Sequence, residues 1–161
     1  EYQANEASGT LTLKYGADTC KVTVKPESDS TLKLVCEATA AANQPVHGHV
    51  TLIPHIAEKQ LTADLNTPRV PPPPRVGGRV RFASGKEIEL GDDPFEVDGE
   101  AWMAHAGWKV HLPEGARVLW PALPHNPYRK QGQSTAEEGR IVIEMAFSGE
   151  VKRYEMTIEI E

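Results

Sequence analysis

The stretch VHGHVTLIPH, residues 46–55, brings His47, His49 and His55 within nine positions of a 161-residue chain that has six histidines. Histidine is the side chain whose ordinary pKa lies nearest neutrality, so clustered imidazoles offer proton transfer or metal ligation. His47 and His49 share parity. On a strand both imidazoles project from one face, while Val46, Val50 and Leu52 project from the other and Gly48 leaves a gap in that apolar face. Two expectations follow: a divalent transition metal held by His47 and His49 with His55 or Glu58 as third ligand, or two solvated histidines on the wet side of a sheet.

The second group that could do chemistry is WPALPHNPYRKQGQ, residues 120–133. Prolines at 121, 124 and 127 stiffen it, and it displays Trp120, His125, Asn126, Tyr128, Arg129 and Lys130. Stiff loops bearing aromatic and amide side chains are where β-frames bind ligands. Trp120 and Tyr128 are expected to stack on the apolar face of a sugar, with His125, Asn126 and Arg129 supplying hydrogen bonds and Arg129 suited to a carboxylate. Against this stands the alternation of Val118 and Trp120, which points Trp120 into a core. Trp102 raises the same choice, either half-buried packing or an exposed platform shared with His105.

The elements that must position these residues read as strands. TLTLKY (10–15), VRF with EIEL (80–90) and WKVHL (108–112) alternate apolar with polar residues, and no stretch has a convincing helical period beyond a short candidate at 56–65. About ten short strands separated by turn signals predict an antiparallel β-sandwich or jelly roll with little or no helix. The four consecutive prolines of TPRVPPPPRVGG, 67–78, form an extended strap inside one domain covering 1–161, since the residues before them supply too few strands for a core of their own.

Two hairpins can be placed in register. A Gly149-Glu150 turn pairs Met145 with Tyr154, Ile143 with Met156 and Ile141 with Ile158, and sets Arg140 opposite Glu159. A hairpin centred near Ser28 pairs Val24 with Leu32, Val22 with Leu34 and Cys20 with Cys36 on one apolar face. Direct cross-strand neighbours can bridge, so a Cys20–Cys36 disulfide is expected, the alternative being two buried free thiols. A bridge implies an oxidising, extracytoplasmic or secreted location.

The composition excludes several classes. Seventeen basic against 23 acidic residues give a net charge of −6 with the bases scattered, the reverse of a nucleic-acid footprint. No apolar run approaches the roughly 20 residues of a transmembrane helix. The start at Glu1 reads as a processed protein or an excised domain. Gly-x-Ser-x-Gly, a glycine-rich phosphate loop and Cys-x-x-Cys are all missing.

The His47-Gly48-His49 strand resembles the first motif of the cupins, a jelly-roll family whose His-x-His strand supplies metal ligands. Gly107 followed by Pro113-Glu114-Gly115 resembles the opening of that family's second motif. The histidine the motif implies three residues after Gly115 is Val118, and Glu58 lies nine residues after His49. The resemblance implies a metal-dependent jelly-roll enzyme. The leading expectation is instead a non-enzymatic β-sandwich module of a larger secreted or envelope protein, with no cofactor, binding carbohydrate or a protein or peptide partner through the Trp120–Lys130 loop or serving a structural role. A third is an accessory domain packed on a catalytic neighbour.

Overall fold

Among the described residues the alternating segments pair into thirteen strands, every ladder between them antiparallel. The computed structural model describes residues 2–5, 7–16, 18–39, 46–52, 78–123, 132, 139–147 and 152–160. In chain order the strands are β1 (Tyr2–Asn5), β2 (Ser8–Tyr15), β3 (Asp18–Ser28), β4 (Thr31–Thr39), β5 (Val46–Leu52), β6 (Arg79–Phe82), β7 (Glu87–Glu89), β8 (Phe95–Asp98), β9 (Trp102–His105), β10 (Trp108–His111), β11 (Arg117–Ala122), β12 (Arg140–Phe147) and β13 (Lys152–Ile160). They form a nine-stranded sheet, β1-β2-β3-β4-β13-β10-β9-β6-β7, and a four-stranded sheet, β5-β12-β11-β8. The expected β-sandwich is present, and the described residues contain no α-helix. The candidate helix at 56–65 and the strap, except Gly78, lie outside the described residues.

One core joins the two sheets. Val80, Phe82, Met103, Val110 and Met156 from the long sheet meet Val97, Val118, Trp120, Ile141, Ile143, Met145 and Phe147 from the short one. Edge-on ring contacts cross the interface, Phe82 against Phe95 and Phe147 against Tyr154. The apolar face of the long sheet continues outward from this core, where Leu11, Leu13 and Val24 are 41%, 37% and 37% exposed.

The expected C-terminal hairpin does not form. β12 pairs with β11 and β5, whereas β13 pairs with β4 and β10 in the other sheet. The alternation of both strands was read correctly, but an apolar face can be buried against a facing sheet as well as beside a hydrogen-bonded neighbour. Here it is the former: Tyr154 reaches across and its hydroxyl donates to the Ala146 carbonyl at 2.6 Å. Arg140 sits opposite Ala122, and Glu159 accepts from His111 at 2.9 Å. The Gly149-Glu150 turn lies outside the described residues.

The β3–β4 hairpin forms, with its partners shifted by two. Ser28 faces Thr31 across an Asp29-Ser30 turn, and a bulge between Pro26 and Ser28 restores the parity, so Val22 faces Cys36 and Cys20 faces Ala38. The six residues expected on the apolar face remain there, but the two cysteines become diagonal neighbours. Diagonal pairs stand about 7–8 Å apart, beyond the usual reach of a bridge. Both thiols are free, which corrects the expected Cys20–Cys36 disulfide and removes its support for an oxidising location. Burial pushes the Cys36 thiol pKa up, as befits a small hydrophobe.

The Trp102–His105 platform does not form either. His105 is buried on the core side of β9, its Nδ1 on the Arg79 carbonyl at 2.9 Å, while Trp102 lies on the opposite face beneath Lys109.

The gap at Gly48 is a close packing contact. A Cβ at that position would meet Cε2 of Phe147 at 2.5 Å. Because Phe147 is 1% exposed and packed in the core, its ring has little room to yield. Gly48→Ala is therefore expected to lower the unfolding free energy by about 1–3 kcal/mol in urea denaturation. An unchanged midpoint would mean that the Phe147 ring moves freely.

Candidate active site on the outer face of the short sheet

The registers of β5, β12, β11 and β8 lay out the outer face of the short sheet as a grid. One row across the strands is Thr51, Val142, Leu119, Glu96; the next is His49, Glu144, Arg117, Asp98; His47 faces Ala146 in a third. An apolar floor thus lies directly beside a row of titratable and charged groups. Both exist because the same strands send Ile141, Ile143, Val118 and Val97 inward to the core.

Glu144 is the hub of the charged row. Its Oε1 accepts from Arg117 Nε at 2.9 Å, with Arg117 Nη2 and His47 Nδ1 (3.2 Å) on the same oxygen, and its Oε2 accepts from His49 Nε2 at 3.1 Å. The Glu144 side chain is only 13% exposed, against 44% and 49% for His47 and His49. The Arg117 hydrogen bonds hold the Glu144 pKa down to about 2; desolvation opposes them and the two histidines add to them. The Arg117 pKa is raised in return, chiefly by its hydrogen bond to Glu144. Nη1 of Arg117 also reaches Glu96 at 2.6 Å.

This arrangement selects tautomers. An ionised carboxylate only accepts, so the nitrogen facing Glu144 must carry a hydrogen, Nδ1–H in His47 and Nε2–H in His49. In each neutral ring the other nitrogen is left with its lone pair, a base; in the protonated ring it is an acid. Glu144 thus fixes the orientation and tautomers of the two imidazoles, and its low pKa makes it a weak base itself.

An open concavity of about 540 Å3 adjoins this row, lined by His49, Pro94, Phe95, Glu96, Leu119, Trp120, Pro121, Ala122 and Val142. His49 and Glu96 are its ionisable lining residues, carried by the two edge strands three strand spacings apart, about 14 Å along the sheet. Val142 is 8% exposed yet lies apart from the core cluster, as expected for the floor of a cleft on the opposite face.

Of the residues singled out in the sequence, His47 and His49 do share a face and are brought together, on Glu144. Among the described residues no group of three His, Cys, Asp or Glu is placed to hold a metal ion, and His55 and Glu58 lie outside those residues. Trp120 is 2% exposed, with its indole N–H donating to the Gly91 carbonyl at 2.8 Å, so it is core and not a stacking surface. His125, Asn126, Tyr128, Arg129 and Lys130 lie outside the described residues. Glu144, Arg117 and Glu96 were missed. Their signal was a charged residue at an outward position of each strand, but which strands are neighbours is a long-range fact that alternation does not encode.

No protein-family model matches the chain, and no curated protein matches it in sequence. Among solved structures, it is similar to an Escherichia coli K12 protein provisionally assigned as an aldose 1-epimerase, at 10% identity and a TM-score of 0.50, over 100% of this chain and 68% of that one. At this identity the likeness establishes the fold. It overturns the expectation of a non-enzymatic module, which rested on a stiffened, aromatic- and amide-bearing loop on an otherwise plain β-frame: a frame of this kind carries a protein provisionally assigned to an enzyme class. The cupin-like and accessory-domain expectations gain no support from it.

The low Glu144 pKa has a consequence for acid stability. A depressed folded-state pKa contributes stability that is full above the ordinary value of 4.5 and is lost as the pH falls toward about 2. Denaturant titrations at about pH 6 and about pH 3 should therefore show a smaller loss in Glu144→Gln than in the wild type. The remainder belongs to carboxylates such as Glu100 and Glu155, held low by Ser84 and by Lys33 with Arg153. Equal losses in the two proteins would show that Glu144 is not coupled to folding.

Proposed function

We propose that the chain is an enzyme that interconverts the anomers of a cyclic aldose by acid–base catalysis in the outer-face concavity. One observation carries this reading: the ionisable lining residues, His49 and Glu96, flank an apolar floor of Val142 and Leu119, on a frame shared with a protein assigned as an aldose 1-epimerase.

Anomer exchange needs two proton transfers on neighbouring oxygens. Glu96 removes the proton of the anomeric hydroxyl as protonated His49 gives one to the ring oxygen; the bond from the anomeric carbon to the ring oxygen breaks and an open-chain aldehyde forms. After rotation about the adjoining carbon–carbon bond, His49 takes its proton back from the ring-closing hydroxyl while Glu96 returns the other. The ring closes on the opposite face of the carbonyl and both residues are restored. Glu144 is a positioning residue, fixing the His49 tautomer. Arg117 ties Glu144 and Glu96 to one guanidinium. The apolar floor suits the C–H face of a sugar ring.

Exchange NMR spectroscopy or polarimetry on freshly dissolved aldoses tests this. The protein should accelerate anomer exchange over buffer, and His49→Ala or Glu96→Gln should reduce the acceleration by about 10²–10⁴-fold. No acceleration across a panel of aldopentoses and aldohexoses would overturn the proposal.

A further inference from the structure

Arg140 and Thr51 stand beside the concavity and take no part in the proton transfers. Resting on the acid–base reading above, we infer that the substrate is an aldose phosphorylated on the exocyclic carbon next to its ring oxygen, and that the guanidinium of Arg140 holds the phosphate.

Strand register places both residues. The even-numbered side chains of β12 project outward, so Arg140 shares a face with Val142, one outward position or about 7 Å away, and stands opposite the lining residue Ala122 of β11. Thr51 stands opposite Val142 on β5, and both Arg140 and Thr51 are exposed. The apolar floor is therefore bordered by a hydroxyl at one side and a guanidinium at one end, with the His49, Glu144 and Arg117 row at the other end.

The proton transfers orient the sugar over that floor. His49 on β5 serves the ring oxygen and Glu96 on β8 the anomeric hydroxyl, so the anomeric carbon faces β8. The ring carbon on the other side of the ring oxygen then faces β5 and β12, and the exocyclic carbon is bonded to it. Of the two outward neighbours of Val142 along β12, one is Glu144, with Arg117 bonded to it, and the other is Arg140. An anionic substituent is repelled by the carboxylate and held by the exposed guanidinium. Protonated His49 adds a second positive charge on the β5 side.

Reach favours a phosphate ester over a carboxylate. His49 and Arg140 are one strand and four residues apart, about 14 Å between Cα positions. A phosphate lies four bonds from the ring oxygen and a uronate carboxylate only two, so the ester crosses more of that gap. Guanidinium N–H groups also match paired phosphate oxygens. Because the phosphate stands away from the reacting atoms, its contact is made equally in ground and transition states and acts on KM.

D-glucose, D-glucuronate and D-glucose 6-phosphate share one ring and carry hydroxymethyl, carboxylate or phosphate ester at the same carbon. We expect kcat/KM for anomer exchange, measured over each sugar's own buffer rate, to be about tenfold higher for the ester than for glucose, chiefly through KM, with glucuronate between them. Added salt should shrink the advantage. Arg140→Gln should bring the ratio of ester to glucose near one and Arg140→Lys should restore part of it, with urea denaturation checking that both variants are folded. The methyl glycoside of glucose 6-phosphate, which cannot mutarotate, reports binding to the same proteins by ligand NMR. A wild-type ratio at or below one, a preference for glucuronate over the ester, or a ratio that Arg140→Gln leaves intact overturns the inference while leaving the epimerase reading standing. Arg140-dependent binding of the phosphorylated glycoside without turnover of any aldose supports the phosphate subsite and removes the epimerase reading. Absence of both turnover and binding overturns the two together.

Discussion

Strand β12 lies between β5 and β11 with its core face fully buried, and the layout of the cleft follows from that. Ile141, Ile143, Met145 and Phe147 are between 0% and 2% exposed on the core side, while Val142 is 8% exposed on the other. Each of the four inward side chains is worth about 1.5–3 kcal/mol of burial, so the phase of the strand is strongly fixed. A slip of one residue would carry Glu144 into the core and the isoleucines into the cleft, a cost no local adjustment repays. With β12 fixed, its ladders to β5 and β11 dictate that His49 and Arg117 stand on either side of Glu144. The core thus determines the composition of the cleft row without touching it.

The charged row is less a set of salt bridges than a division of labour. The exposed Arg117–Glu96 pair adds little to stability, whereas the depressed Glu144 pKa couples that carboxylate to folding. The row also governs where protons can sit. A carboxylate whose two oxygens already serve one guanidinium and two imidazoles has little capacity left for another partner. The proton-transfer capacity of the row therefore passes to the imidazole nitrogens that point away from it.

The fold was legible because period-two alternation survives in almost every strand, including those whose partners were assigned wrongly. Alternation states which side of a strand is apolar and is silent about whether the facing residues belong to a neighbour in the same sheet or to the opposing sheet. That is why Met145, Met156 and their companions were expected beside one another in a ladder and are found across the core. Turn chemistry had the same limit at the β3–β4 hairpin, where one bulged residue moved Cys36 from Cys20 to Val22. In the site, His47 and His49 stood out by type and spacing, and the glycine between them proved to be a packing requirement of Phe147. Glu144 lies 95 positions from His49, and no local pattern announces such a partner.

Among the described residues β5 is the end strand of its sheet, hydrogen-bonded to β12 alone. End strands open more readily than central ones, because fewer ladder bonds must break. The two imidazoles ride on that strand, and the carboxylate that orients them rides on its fixed neighbour. Each brief opening of β5 would part both rings from Glu144 at once and release their tautomers, so the histidine–carboxylate contacts depend on the hydrogen-bond register of one seven-residue strand.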